Sequence, residues 1–264
     1  MLADHGAIWY AVAMIVRKTT RELDKMRAAG RVVAEVLMLL SDAAKPGVTT
    51  RHLDGLAERH IRTRGAMPTF KGYRGFPASL CISVNEQVVH GIPGDRTLKD
   101  GDIVSIDCGA TLDGYIGDSA ITLAIGEVKP ELRELMRVTE ASLYSGISAA
   151  LVGNRLHDIS AAVQSTIEPY GYGIVRDYCG HGVGRQLHEE PQVPNYGVPD
   201  TGPRLKSGWC LAIEPMVNLG THQTETLSDG WTVVTADRRA SAHFEHSIAI
   251  TDDGPVILTD RRGL

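Results

Sequence analysis

Leu98–Asp107 reads LKDGDIVSID, and Leu205–Glu214 reads LKSGWCLAIE. Aligned without gaps, the two decapeptides share Leu, Lys, Gly and Ile, and each ends on a carboxylate. Such self-similarity at a distance indicates one structural unit used twice. The surroundings repeat as well. A second acid stands before another strand-like run in each copy, Asp118 before SAIT and Glu245 before HSIAIT, and a His-Gly pair precedes each copy, His90-Gly91 and His181-Gly182. The chain therefore reads as two related halves, about 19–128 and 129–264, that together form one domain, each half supplying a histidine and two acids.

The flanking elements support that organisation. Thr19 to Glu22 has the form of a capping box, and Leu23, Met26, Val33, Leu37 and Leu40 then recur at helical spacing until Lys45-Pro46-Gly47 stops the run. Thr50 to about Arg64 repeats the pattern more weakly, Pro130 opens a third helix, and Asn154 to Tyr170 carries a fourth. Between them lie strand-like runs: LCISV from Leu80, IVSIDC from Ile103, SAITLAI from Ser119, CLAIEPMV from Cys210, WTVVT from Trp231 and HSIAITDD from His246. Helices and strands interleave without a linker rich in Pro, Gly or Ser.

Composition narrows the function. The chain has 264 residues, 43% hydrophobic and 22% charged, enough to bury a full core in one large domain or two fused halves. A net charge of −5 with interspersed signs offers no basic stripe for nucleic acid or an anionic membrane, so a small or peptidic substrate is favoured. Cys81, Cys108, Cys179 and Cys210 stand singly, with no C-x-x-C pair for a zinc ribbon or redox motif, as suits a reducing cytoplasm. The apolar run Ala7–Val16 is too short to span a bilayer and lacks a basic leader, so residues 1–18 read as an N-terminal tail, with Met14 as an alternative start.

Taken singly, an acid in a strand or a lone histidine is usually structural, and His52, His60 and His157 on helices and His5 in the tail are read that way. The combination changes the argument. An unpartnered buried carboxylate costs several kcal/mol, yet Asp107, Asp118, Glu214 and Glu245 all sit in apolar strand contexts with no matching Lys or Arg cluster. If the halves pack about a pseudo-two-fold axis, these acids converge, and divalent cations are the natural compensation. Four carboxylates and one imidazole suit a pair of ions such as Mn, Fe or Co, whereas structural zinc prefers more Cys or His. Two such ions acidify water enough for amide hydrolysis near neutral pH, which makes a hydrolase the leading class.

The strings SVNEQVVHGIP, GDIVSIDCG, GYIGDSAIT, GHGVGRQLHEEPQVPN, LAIEPM, DGWTVVT and AHFEHSIAITDDG resemble those of the type I methionine aminopeptidases of the compact bacterial form, in peptidase family M24, from about Thr19 to Leu258. The resemblance implies the pseudo-two-fold "pita-bread" fold of creatinase and the aminopeptidases, an α+β architecture of mostly antiparallel sheets covered by helices on one side. It implies removal of N-terminal methionine from nascent polypeptides, with a small second residue preferred. Two divalent ions (Co, Mn, Fe or Zn) would be held by Asp107, Asp118, His181, Glu214 and Glu245, with Asp118 and Glu245 bridging and the glycines beside His181 allowing a tight turn. Glu214 would also relay a proton, while His90 and His188 would act on the scissile amide. Tyr73, Phe76, Cys81, His90, His188 and Trp231 would form the substrate pocket, with the Tyr73–Phe76 stretch in an exposed loop. A cytoplasmic monomer is implied, with the ribosome as one place of encounter and with no nucleic-acid specificity or membrane attachment. Arg74 replaces a common histidine and Leu187 a common aromatic, both at the pocket edge. An inactive scaffold and an X-Pro peptidase are the alternatives, the second disfavoured by the short N-terminus.

Overall fold

Thr19 Oγ1 accepts the Glu22 amide, and the Glu22 carboxylate accepts the Thr19 amide, so the predicted capping box forms and helix α1 runs from Thr20 to Ala43. The other helices follow the sequence pattern: α2 (Thr50–Thr63), α3 (Pro130–Ala149) and α4 (Leu156–Ile167), the last continued by a 3₁₀ turn, Glu168–Tyr170. The computed structural model describes residues 15–262. The alternative start at Met14 and nearly all of the apolar run 7–16 therefore lie outside the described residues. Just beyond them, Lys18 is already fixed to the second half, its amide donating to Gly208 O and its ammonium pairing with Glu189.

The first half is built on strands β1 (Leu80–Val84), β2 (Ile103–Leu112) and β3 (Tyr115–Ala124), with β2 paired antiparallel to both neighbours. Asp113 and Gly114 both take positive φ, 50° and 75°, and join β2 to β3 in the two-residue hairpin that an Asp-Gly pair favours. The run predicted from Ser119 therefore starts earlier, at Tyr115.

The second half carries β4 (Gly180–Gly182), β5 (Glu189–Val193), β6 (Cys210–Ile213), β7 (Met216–Asn218), β8 (Ser241–His243), β9 (His246–Thr251) and β10 (Gly254–Ile257). Five of them form one sheet in the order β10-β9-β6-β4-β5. The apolar run CLAIEPMV, predicted as a single strand, divides into β6 and β7, because Pro215 has no N–H to give a ladder. β6 pairs with β4 and β9, whereas β7 pairs with β8 and the short strand Gly173–Ile174. Glu214 thus stands where the chain passes from one sheet to another.

The two halves meet through side-chain hydroxyls at β3. Ser247 Oγ donates to Asp118 O at 2.8 Å, Thr122 Oγ1 donates to His243 O at 2.8 Å, and Ser119 Oγ donates to Glu245 O. The Glu245 amide completes the seam by donating to Ala120 O at 2.9 Å. A continuous apolar core, including Leu37, Ile61, Ile106, Leu143, Ile159, Ile213 and Ile248, then ties all four helices to the sheets of both halves.

Helix α1 lies directly on the backbone of β3. A Cβ on Gly117 would fall 2.6 Å from Gly30 Cα, and one on Gly30 would fall 2.8 Å from the Leu258 carbonyl carbon. Replacing Gly30 by Ala improves helix propensity by up to about 1 kcal/mol, but overpacking against backbone costs about 1–3 kcal/mol. Gly30→Ala should therefore lower the urea midpoint, with a net loss of up to about 2 kcal/mol; an unchanged or raised midpoint would show that α1 can retreat at no cost.

Candidate metal centre and substrate cleft

Antiparallel register puts Asp107 opposite Ala120 and Asp118 opposite Gly109, so the two acids lie diagonally on one face of the β2–β3 ladder. Across the hydroxyl seam, Glu245 is held against Ala120 immediately before β9. His181 is the central residue of β4. Neither Gly180 nor Gly182 takes a positive φ, so the tight turn expected beside His181 does not form. These glycines serve close packing instead: a Cβ on Gly180 would collide with Ala212 O, and one on Gly182 with Glu190 O. They let β5 and β6 press against both edges of β4 and so fix the ring.

The result is a compact donor cluster. Ligand atoms of Asp118, His181 and Glu245 lie within 4.8 Å of one another, and those of Glu214, His243 and Glu245 do likewise, so Glu245 is common to both groups. His181 Nε2 is 3.5 Å from Glu214 Oε1 and 3.8 Å from Asp118 Oδ2. Asp107 belongs to neither three-residue group but lines the same cavity. Asp107 Oδ1, Asp118 Oδ1 and Glu245 Oε1 are buried without a hydrogen-bond partner. Orphaned carboxylate oxygens are costly, and a hard, oxygen-rich set beside the imidazoles of His181 and His243 fits divalent ions.

Electrostatics agree. Burial pushes the Asp118 carboxyl up to about 7. Burial, reinforced by the neighbouring acids, holds Asp107, Glu214 and Glu245 well above the usual carboxylate range. Burial also lowers the imidazoles, His181 and His90 to about 4 and His243 to about 3, while His188 is depressed by burial and by Arg74. His181 and His188, with ring centroids 4.4 Å apart, can sit edge to face because neither is charged near neutrality.

The predicted pocket residues come together around this cluster. Tyr73, Phe76, Cys81, His90, His188 and Trp231 line one cavity of about 880 Å³ that also holds Asp107, Asp118, His181, Glu214 and Glu245. Phe76 and Trp231 meet edge to face at 5.1 Å, and Trp231 lies 6.3 Å from His90. The short strands Gln87–Val89 and Val233–Thr235 pair antiparallel and bring His90 and Trp231 to the same end of their ladder. His90 is kept at φ 60°, a left-handed conformation that a non-glycine residue adopts at a cost and that clusters at functional sites. Tyr73 Oη lies 2.8 Å from His188 Nδ1.

The exposed loop expected for Tyr73–Phe76 is only partly realised. Tyr73–Gly75 form a 3₁₀ turn, and Phe76 is buried in a small core with Met26, Phe70, Cys81 and Leu187, one side of it forming cavity wall. Arg74, at φ 49°, lays its guanidinium 5.4 Å over the Tyr73 ring. Sequence reasoning missed His243, Tyr178 and Met216. His243 carried a usable signal, since His243-Phe244-Glu245 places a histidine and an acid on the same face of an extended chain. Tyr178, edge to face with His90 at 5.5 Å, and the buried Met216 carried none.

A cluster of orphaned acids beside an aromatic wall suits a metal-dependent hydrolase, and the model of metallopeptidase family M24 matches residues 24–252. Methionine aminopeptidase 1 of Bacillus subtilis is 56% identical over 246 residues, 93% of this chain and 99% of that protein. The methionine aminopeptidase of Clostridium acetobutylicum is 55% identical over 247 residues, with the same shares of the two chains. The crystal structure of methionine aminopeptidase from Rickettsia prowazekii superposes with a TM-score of 0.92 at 44% identity, covering 94% of this chain and 100% of that one. The chain belongs to metallopeptidase family M24, and within it to the methionine aminopeptidases of the compact type I form. Its fold is the pita-bread fold of that family, and it is a metal-dependent hydrolase.

The raised carboxyls and lowered imidazoles act in opposite directions on the metal-free protein. A lowered histidine adds stability as pH rises towards 6.5, where the unfolded ring loses its proton. A raised carboxyl keeps a proton that the unfolded chain has released, so it removes stability as pH rises to its folded value, about 7 for Asp118, and Asp107, Glu214 and Glu245 are raised in the same direction. Above about 6.5 only the second effect remains. The melting temperature of metal-free protein should fall from about pH 6.5 to about 7, where Asp118 loses its proton, and Mn(II) should remove the fall while displacing protons. A metal-free melting temperature that rises over this interval would refute this picture of the cluster.

Proposed function

We propose that this cleft removes the N-terminal methionine from nascent polypeptides in the cytoplasm, acting as a monomer and preferring a small second residue. The observation that carries the reading is that an apolar, aromatic wall and a cluster of orphaned carboxylates share one cavity. The flexible thioether of methionine suits a wall of Phe76, Trp231, Tyr73 and Cys81. The cytoplasmic assignment draws support from four free cysteines and from the absence, among the described residues, of any helix long and apolar enough to cross a membrane. Ribosomal encounter follows from the nascent substrate.

Asp107, Asp118, His181, Glu214 and Glu245 would hold two divalent ions. When bound, the ions supply Lewis acidity that readies water for attack on the scissile carbonyl. The protein does the rest. Glu214 takes the proton of the attacking water and delivers it to the departing amine. Tyr73 Oη, donating to His188 Nδ1, leaves the proton of the neutral ring on Nε2, from which it can donate to the developing oxyanion. His90, also neutral and fixed in its left-handed conformation beside Trp231, supplies a second donor at the scissile amide.

Purified protein supplied with Mn, Co or Fe should release methionine from Met-Ala-Ser and leave Ala-Pro-Ala intact. Turnover of the second peptide alone would establish an X-Pro peptidase instead, and no turnover with any metal would favour a scaffold. Glu245→Ala should lower both metal content and turnover. His188→Ala should keep its metal while turnover falls about a hundredfold or more, the scale of losing one transition-state donor; metal loss in that variant would make His188 a ligand.

A further inference from the structure

His243 is a buried histidine at the metal centre for which the reading above has no use. It is 2% exposed, and its Nε2 is buried without a hydrogen-bond partner. That nitrogen lies 3.4 Å from Glu214 Oε2, while His181 Nε2 lies 3.5 Å from the other oxygen, Oε1. Each oxygen of Glu214 thus faces one imidazole, and among the described residues these are the only basic side chains paired with it. The two rings are placed differently. His181 lines the cavity and His243 does not, so His243 stands behind Glu214 as seen from the space that ions would occupy.

The backbone beneath His243 is firmly set. Its amide donates to Thr122 Oγ1 at 2.9 Å, its carbonyl accepts from the same hydroxyl at 2.8 Å, and it pairs in register with Met216, two residues beyond Glu214. The ring is thereby aimed from β8 at the point where the chain leaves β6. Glu214 sits at that strand break, next to Pro215, where no ladder hydrogen bond restrains it. A carboxylate in such a place needs a donor to select its rotamer.

We propose that His243 is a positioning residue that donates its Nε2–H to Glu214 Oε2 and so holds Oε1 towards His181 and the metal. The inference rests on the assignment of Glu214 as a ligand. A closure of about 0.5–0.7 Å from the present 3.4 Å brings the pair to the length of about 2.7–2.9 Å typical of a charge-assisted bond. A ligand role would require the opposite arrangement, an unprotonated Nε2 directed at an ion, and would put two imidazoles on the centre.

Pulsed EPR of the Mn(II)-loaded wild-type protein separates the two. Coupling to one imidazole nitrogen donor, from His181, supports the positioning role, and coupling to two overturns it. Calorimetric titration of the variants with Mn(II) adds a second readout. His243→Ala should weaken binding about 10- to 100-fold, the usual scale for losing an outer-shell partner of a ligand, and His243→Gln, which retains an N–H donor, should recover most of the loss. A Gln variant that binds as weakly as the Ala variant, with both folded by circular dichroism, would refute the inference. Glu214→Gln serves as the reference. If it loses metal while His243→Ala does not, the positioning role fails and the ligand assignment stands; if it binds both ions as wild type does, the ligand assignment fails and the inference with it.

Discussion

Four carboxyl groups gathered in a cavity of low dielectric cannot all be charged without cations among them, and the architecture is arranged around that constraint. An unpaired buried ion costs several kcal/mol even after relaxation, a large part of the stability of a whole domain. The four acids come from both halves of the chain. Asp107 and Asp118 come from the β2–β3 hairpin, Glu214 from the break between β6 and β7, and Glu245 from the turn into β9. The hydroxyl seam of Ser119, Thr122 and Ser247 assembles the full set only when the halves close on each other.

Much of this was legible in the chain itself. The repeated decapeptide, the capping box at Thr19, Pro130 at the head of a helix and the four strand-associated acids are local or periodic signals, and the comparisons bear out the family and the α+β fold that the resemblance of the longer strings implied. What escaped notice depended on contacts between segments distant in sequence. An eight-residue apolar run reads as one strand until Pro215 is asked where its missing N–H would have gone. Glycines around a histidine suggest a turn, but here they answer to the carbonyls of Ala212 and Glu190, which only the fold brings near. Phe76 looks like a loop aromatic because the cover supplied by Met26 and Leu187 comes from distant parts of the sequence.

The cleft also shows how one environment yields two kinds of side chain. The same burial that raises the carboxyls lowers the imidazoles, so the metal-free site holds neutral acids beside neutral bases. Without that neutrality the close approach of His181 and His188 would be repulsive. The proposed division of labour between them then follows from their neighbours, since His181 faces carboxylates and His188 faces a phenol.

The hydrogen bond between Tyr73 and His188 has a consequence for selectivity. Tyr73 belongs to the wall that would receive the substrate side chain, and His188 is the proposed donor to the scissile amide, so a single bond joins recognition to chemistry. A side chain that fits poorly shifts the phenol, and with it the tautomer and direction of the imidazole. Discrimination between methionine and its near-isosteres would then be expressed chiefly as a difference in the rate of bond cleavage, with comparatively little difference in how tightly each peptide is held.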